Sequence, residues 1–415
     1  MTATRDGWPR PDDFAGPPDA ARRAAWSDAD RASRPARLGR LRARFGDAGI
    51  DAYFGVRREH MRYLTGFTLG DGEEKVAGNS GQLLVTGDEV VVLADSRYTI
   101  QARREAPDAR LVEVYGDLPE RWPELAASVG ARRIGVEAGF VAHATWQRLA
   151  AAAPDVELVP VEGWVEADRA VKEPAELERI AAACAVADRA LATLLPEIRP
   201  DATEAELALR LEWLMRTGGA EALAFEVACL SGPEAALPHG APGDRPLRAG
   251  SVVLFDFGAQ VAGYRSDMTR TLFVGEPRAT DLEVYELVAR AQAAAIAALE
   301  AAVGAEGAGD AGGGLPSGRA IDAAARAVIE AAGHGEHFGH GTGHGIGLAT
   351  HEAPSLAKRA PDTPLPSPTA FSVEPGVYLD GEMGVRIEDL IHLDAAVGRV
   401  ERMTRFPREV LVVGR

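Results

Sequence analysis

Four carboxylates occupy mirrored places in this sequence. In VVLFDFGAQVAGYRSDMTRTLFV, Asp256 and Asp267 stand 11 positions apart, and a hairpin turning between Val261 and Ala262 sets them opposite each other. In FSVEPGVYLDGEMGVRIEDLIHL, Glu374 and Glu388 reflect in the same way about Gly381, inside the turn-forming stretch LDGEMG. Opposed side chains on one sheet face have Cβ atoms roughly 4.5–5.5 Å apart, so like charges there repel unless a cation lies between them. Both pairs are embedded in apolar strand residues, and a buried ionised carboxylate has to be paired or coordinated. Together the four carry a charge that two divalent cations neutralise. The alternative is that one or both pairs lie on solvated hairpin faces with the register off by one residue, and spacing alone leaves both open.

Five of the nine histidines, His334, His337, His340, His344 and His351, fall in HGEHFGHGTGHGIGLATHE. The intervening glycines argue against a helix, so His340 and His344 are not the paired histidines of an HExxH metal helix. Glycine instead lets backbone approach a metal or substrate closely. The segment also fails as a dinucleotide loop, since no GxGxxG is completed and no strand immediately precedes it. Alone it fits a surface feature as well as a metal site; the neighbouring carboxylates favour the second. His334 and His337 follow a helix end at Gly333, where a capping or surface role is expected. His60, His143 and His392 have no partner motif and are read as structural.

Helix, helix, hairpin occurs twice in the chain. Helices expected over 174–197 and 203–217 lead into strands around 251–274; helices over 280–303 and 318–332 lead into strands around 370–394. The second helix opens on the capping box Thr203-x-x-Glu206 and stops at Gly218-Gly219. A duplicated α+β unit about a pseudo-twofold brings the two hairpins, and so the four carboxylates, together. Upstream, an Arg-rich helix at 38–48, a strand at 52–56 and the runs QLLVTG, EVVVLAD and RRIGVEA alternate as an α/β domain. The expected organisation is an extension over 1–37, poorly ordered because it is rich in Pro, Asp and Arg, an α/β domain over 38–165, and the α+β unit over 166–415.

With 46% hydrophobic residues over 415 positions, the chain can bury cores of that size. A net charge of -17 makes nucleic acid and anionic membrane surfaces poor partners. A metal or a small neutral or cationic substrate suits it better. The N-terminus has no apolar run of signal-peptide or membrane-span length, so a cytoplasmic location is expected. Cys184 and Cys229, in apolar surroundings, are expected to be reduced buried thiols.

LPHGAP around His239, LFDFGAQVAGYRSDMTRT, HGTGHGIGLATHE, SVEPGVY and GVRIEDL together resemble the pita-bread metallopeptidases, and within them the Xaa-Pro peptidases of the aminopeptidase P and prolidase type. The resemblance runs from about residue 38 to the C-terminus. It implies a creatinase-like N-terminal α/β domain followed by a pita-bread catalytic domain, and commonly a homodimer. It also implies that Asp256, Asp267, His344, Glu374 and Glu388 bind two divalent metal ions, with Asp267 and Glu388 bridging. His239 and His351 are implied as outer histidines that contact substrate and stabilise the tetrahedral intermediate, His340 as lining the pocket, and Arg386 as supporting the cluster or the substrate end. The oxygen-rich set with one imidazole suits Mn²⁺, with Co²⁺, Zn²⁺ or Fe²⁺ as substitutes.

The expected activity is removal of the N-terminal residue from small peptides with proline second, with Xaa-Pro dipeptidase action as the alternative. In it Glu374 relays a proton to the leaving nitrogen and His351 supports the oxyanion. A creatine-amidinohydrolase-like enzyme is disfavoured by the full ligand complement, methionine aminopeptidase by the upstream domain, and a non-catalytic peptide-binding relative by the absence of any lost ligand. Two stretches depart from the pattern, 69–81 and the Gly-rich 304–316, both read as insertions.

Overall fold

The computed structural model describes residues 7–69, 80–114, 117–304 and 314–414. They divide into two compact units, Ala24–Asp168 and a larger one made of Met1–Arg23 with Arg169–Arg415.

The smaller unit carries a six-stranded sheet in the order Arg110–Glu113, Val90–Ala94, Gln82–Thr86, Ala52–Gly55, Arg133–Glu137, Glu157–Val161. Gln82–Thr86 runs antiparallel to both neighbours, and the other pairings are parallel. Its apolar runs bury Phe54, Leu84, Val91 and Val136 around Trp122, whose ring meets Phe54 edge-on at 5.0 Å. Glu137 closes the strand end. Its carboxylate accepts from Tyr53 Oη, His60 Nδ1 and the backbone N–H groups of Val56 and Arg57. His60 is therefore placed in a buried structural network.

The larger unit is built twice over. Pro174–Leu194 and Glu204–Thr217 lead into strands Ser251–Phe257 and Met268–Val274; Ala279–Gly304 and Gly318–Ala331 lead into Thr369–Val373 and Asp389–Asp394. The capping box read from Thr203 and Glu206 is formed, with Glu206 N–H donating to Thr203 Oγ1 at 3.2 Å and Thr203 N–H to Glu206 at 2.9 Å. Ala279–Gly304 is apolar and long enough to cross a membrane by composition, yet Val284, Leu287, Val288, Ala291, Ala295 and Leu299 lie in the main core with Ile321, Ile329, Phe371 and Ile391. The two hairpins meet at their inner edges. Glu388 N–H donates to Thr269 O at 3.1 Å, and Thr271 Oγ1 exchanges hydrogen bonds with the backbone of Arg386.

The register of the second hairpin is the reflected one: Gly376 pairs with Arg386 and Val373 with Asp389, so Glu374 and Glu388 stand at mirrored places where the ladder is interrupted. In the first hairpin the expectation needs correcting. Asp256 faces Thr269, and Asp267 lies two residues nearer the turn. The turn falls at Ala262-Gly263, both with positive φ (48° and 83°), one residue beyond the assumed centre. Such a two-residue turn matches the twist of the flanking strands.

The extension expected over 1–37 needs correcting as well, apart from residues 1–6, which lie outside the described residues. A helix Ala20–Ala43 begins well before the one expected at 38–48. Ahead of it the chain packs within the larger unit. Trp8 Nε1 donates to Val412 O at 3.2 Å, Phe14 stacks on Phe406 at 6.3 Å, and Arg189 Nη1 donates to the carbonyls of Pro11 and Phe14. Two aromatic anchors and a charged donor outweigh the polar composition that suggested disorder. Replacing Trp8 and Phe14 together by Ala is expected to destabilise the larger unit by about 2–4 kcal/mol. A calorimetric scan measures this; an unchanged transition contradicts the packing described. Most of the two expected insertions, 70–79 and 305–313, lies outside the described residues.

Candidate metal centre

His344 is carried on a short strand, Gly343–Gly345, between Glu352–Leu356 and Thr369–Val373. A Cβ on Gly343 collides with Ser372 O, and one on Gly345 with Ala353 O, so these glycines let three backbones close up around the histidine. His344 Nδ1 stands 3.1 Å from Gly345 O, a donor's position that leaves Nε2 facing the carboxylates. From Nε2, Glu374 Oε1 is 3.2 Å away and Asp267 Oδ2 3.6 Å. One ligand atom each from Asp267, His344 and Glu388 lies within 4.8 Å of the other two.

The surroundings fix three of the four carboxylates by one oxygen and leave others unused. Thr269 Oγ1 donates to Glu388 Oε2 at 2.8 Å, Ser372 Oγ to Glu374 Oε1 at 2.9 Å, and Arg386 Nη2 to Asp256 Oδ2 at 2.6 Å. Asp256 Oδ1 and Glu388 Oε1 are buried without a hydrogen-bond partner among the described residues. Buried carboxylate oxygens left without a donor are what a bound cation satisfies. The donor set therefore fits a divalent metal.

Electrostatics give the same account. Burial, then the charge of Glu388, pushes Asp267 well above the usual carboxylate range; burial, then Glu374, does the same to Glu388. Asp256 is raised by burial against the opposing pull of Arg386. Burial disfavours the ions of Glu374 and His344 too, but their mutual contact wins, holding Glu374 down at about 2 and His344 up at about 9. A bound cation would take the place of the protons that these raised groups otherwise hold.

The other expected residues fall around this cluster. His351 lies with its ring 4.1 Å from that of His344, its protonation disfavoured by burial, then by the charges of His344 and, further down, His239. His239 is on an exposed turn. His340 donates from Nδ1 to Gly341 O and meets Tyr378 Oη through Nε2 at 2.8 Å; burial lowers its pKa. Arg386 is buried, with Nη1 donating to Tyr378 Oη at 2.8 Å and Nε to Thr269 Oγ1 at 2.9 Å. Burial raises Tyr378 to about 12, so its hydroxyl stays protonated and relays Arg386 to neutral His340. His334 and His337 face each other in an exposed position, 3.1 Å apart. Cys184 and Cys229 are free and buried.

No local sequence signal singles out Thr269 or Tyr378. Both stand inside quoted motifs, and the correct hairpin register points to Thr269 as the residue opposite Asp256.

A duplicated α+β unit whose two hairpins converge on buried carboxylates and one imidazole defines a metal-dependent hydrolase. The chain belongs to metallopeptidase family M24: the family's model matches residues 178–395, and the creatinase/prolidase N-terminal domain model matches 37–171. It is 34% identical over 377 residues to an uncharacterized peptidase, YqhT, of Bacillus subtilis, covering 91% of this chain and 100% of that one. Among solved structures it resembles an Xaa-Pro dipeptidase from Bacillus anthracis, with TM-score 0.81, 34% identity, and 92% and 100% of the two chains covered. It also resembles an X-Pro aminopeptidase from Thermotoga maritima, with TM-score 0.76, 34% identity, and 91% and 100% covered. The pita-bread fold with a creatinase-like N-terminal domain is thus established, as is a hydrolase of the Xaa-Pro metallopeptidase type.

Proposed function

We propose that this protein is an Xaa-Pro aminopeptidase that releases the first residue of short peptides with proline in second position. The observation that supports metal-dependent hydrolysis is the convergence of Asp267, His344 and Glu388, with orphaned oxygens on Asp256 and Glu388. Asp256, Asp267, His344, Glu374 and Glu388 would hold two divalent ions, Mn²⁺ being well suited to this donor set. When bound, the ions supply Lewis acidity and lower the pKa of water to near neutrality.

The chain's own groups do the rest. Arg386 fixes the orientation of Asp256, and Thr269 that of Glu388. Glu374, ionised at neutral pH, takes the proton of the attacking water and passes it to the leaving prolyl nitrogen. His351, kept neutral, offers a ring N–H to the developing oxyanion. Glu374→Gln is expected to lower kcat by about 10²–10⁴-fold. Unchanged turnover in a variant that still binds both ions would remove Glu374 from the proton path.

A second reading, dipeptidase action, is favoured by the Bacillus anthracis relative described as an Xaa-Pro dipeptidase. Comparing Ala-Pro, Ala-Pro-Ala and Ala-Ala-Ala separates the two. The aminopeptidase reading expects the prolyl tripeptide to be cut at least as well as the dipeptide; cleavage confined to Ala-Pro establishes the dipeptidase, and equal cleavage of Ala-Ala-Ala removes proline selectivity.

A further inference from the structure

Glu352 follows His351 directly, and its side chain is almost wholly buried against two buried cations, Arg169 and Lys172. Lys172 Nζ stands 2.7 Å from Oε1, and Arg169 Nη2 pairs with Oε2. These partners come from residues 169–172, where the chain re-enters the larger unit, some 180 positions upstream, and Lys172 N–H also donates to Pro368 O at 2.8 Å. Burial opposes ionisation of Glu352, but the two cations prevail and hold it at about 2.

The same carboxylate organises the loop before His351. Ala349 N–H donates to Oε2 at 3.2 Å, and a Cβ on Gly347 falls 2.5 Å from Oε1, so the loop folds directly over the carboxylate and only glycine fits. Arg265 holds the other side. Its N–H donates to Gly347 O at 2.9 Å and its guanidinium to Thr350 Oγ1 at 3.0 Å. His351 itself is exposed, with its ring lying over His344.

A buried ion trio is no more stabilising than apolar packing of the same volume, so its presence here calls for a role in geometry. We propose that Glu352, pinned by Arg169 and Lys172, is the positioning residue for His351. It sets the path of residues 347–351 and so the place of the imidazole beside the metal cluster, without touching substrate. The assignment rests on the peptidase reading given above, through the role of His351.

The test is a double-mutant cycle in the full-length, metal-loaded protein with an Xaa-Pro peptide. Glu352→Gln is expected to lower kcat by about 10- to 100-fold, with KM and metal content within about twofold of wild type. In a His351→Ala background the same change is expected to alter kcat less than about twofold, because the group it positions is gone. Gly347→Ala, whose Cβ falls against the Glu352 carboxylate and forces loop and carboxylate apart, is expected to show the same signature and serves if Glu352→Gln does not fold. Penalties that multiply in the double variant, or wild-type kcat in a folded single variant, overturn the proposal. His351 ring resonances in the metal-free protein, expected to shift and broaden in either variant, report on positioning without turnover. Wild-type protein that cleaves no Xaa-Pro peptide counts against the peptidase reading, whereas unmoved His351 resonances count against Glu352.

Discussion

Asp267→Asn is expected to lower kcat/KM on Xaa-Pro peptides by about three orders of magnitude or more while leaving the protein folded. The loss corresponds to about 4 kcal/mol of transition-state stabilisation, the scale on which bound metal acts. Asp267 is buried, sits 3.6 Å from His344 Nε2, and is one of the three groups whose ligand atoms converge. Its carboxylate is pushed well above the usual range by burial and then by Glu388, so in metal-free protein the charge is a liability. An isosteric amide removes that repulsion. The metal-free variant should therefore melt at or above the temperature of metal-free wild type, while retaining less metal by elemental analysis. A variant with full metal content and near-normal turnover would show that Asp267 is not a ligand; one that unfolds would show that its role is structural.

The second large effect is the pH dependence of the metal-free protein. Asp267, Glu388 and Asp256 have folded pKa values above the ordinary carboxylate value of about 3.9–4.3, and His344 is raised to about 9 from about 6.5. A raised folded pKa gives stability that is complete below the unfolded value and is lost as pH rises through the folded one. All four shifts therefore act in one direction. Glu374, held at about 2, acts oppositely, but its contribution is lost only as pH falls from about 4.5 towards 2, outside the working range. Chelated protein should thus lose a few kcal/mol between pH 5.5 and 9, whereas Mn²⁺-loaded protein, with a cation in place of the protons, should hold or gain stability. Melting curves at three pH values with and without metal test this. Parallel curves would mean that the carboxylates are not shielded by a bound ion.

How far the site was legible in the sequence depended on whether the signal was local. The second hairpin is legible in its true register because LDGEMG marks its centre, with Gly381 at φ 72°. The first pairs two positions away from the mirrored register because Ala262, unlike Gly263, carries no turn signature, yet takes positive φ (48°). The limits of the helix over 204–217 are legible from capping chemistry at Thr203 and Gly218. The ordered N-terminal segment is not. Its polar composition conceals that Trp8 and Phe14 find partners near 406–412, which no local pattern reveals. Arg169 and Lys172 are hidden for the same reason, and Glu352, although inside a quoted motif, gives no local sign of its distant cationic partners. Tyr378 lay within a quoted motif, but its link between Arg386 and His340 depends on the fold around it.

The most direct test of the central claim is a Mn²⁺ titration of chelator-stripped protein, following cleavage of Ala-Pro-Ala and metal content together. The account predicts no cleavage without metal and full activity as the site fills to two ions per chain. Undiminished cleavage by stripped protein, or none at full occupancy, would contradict it.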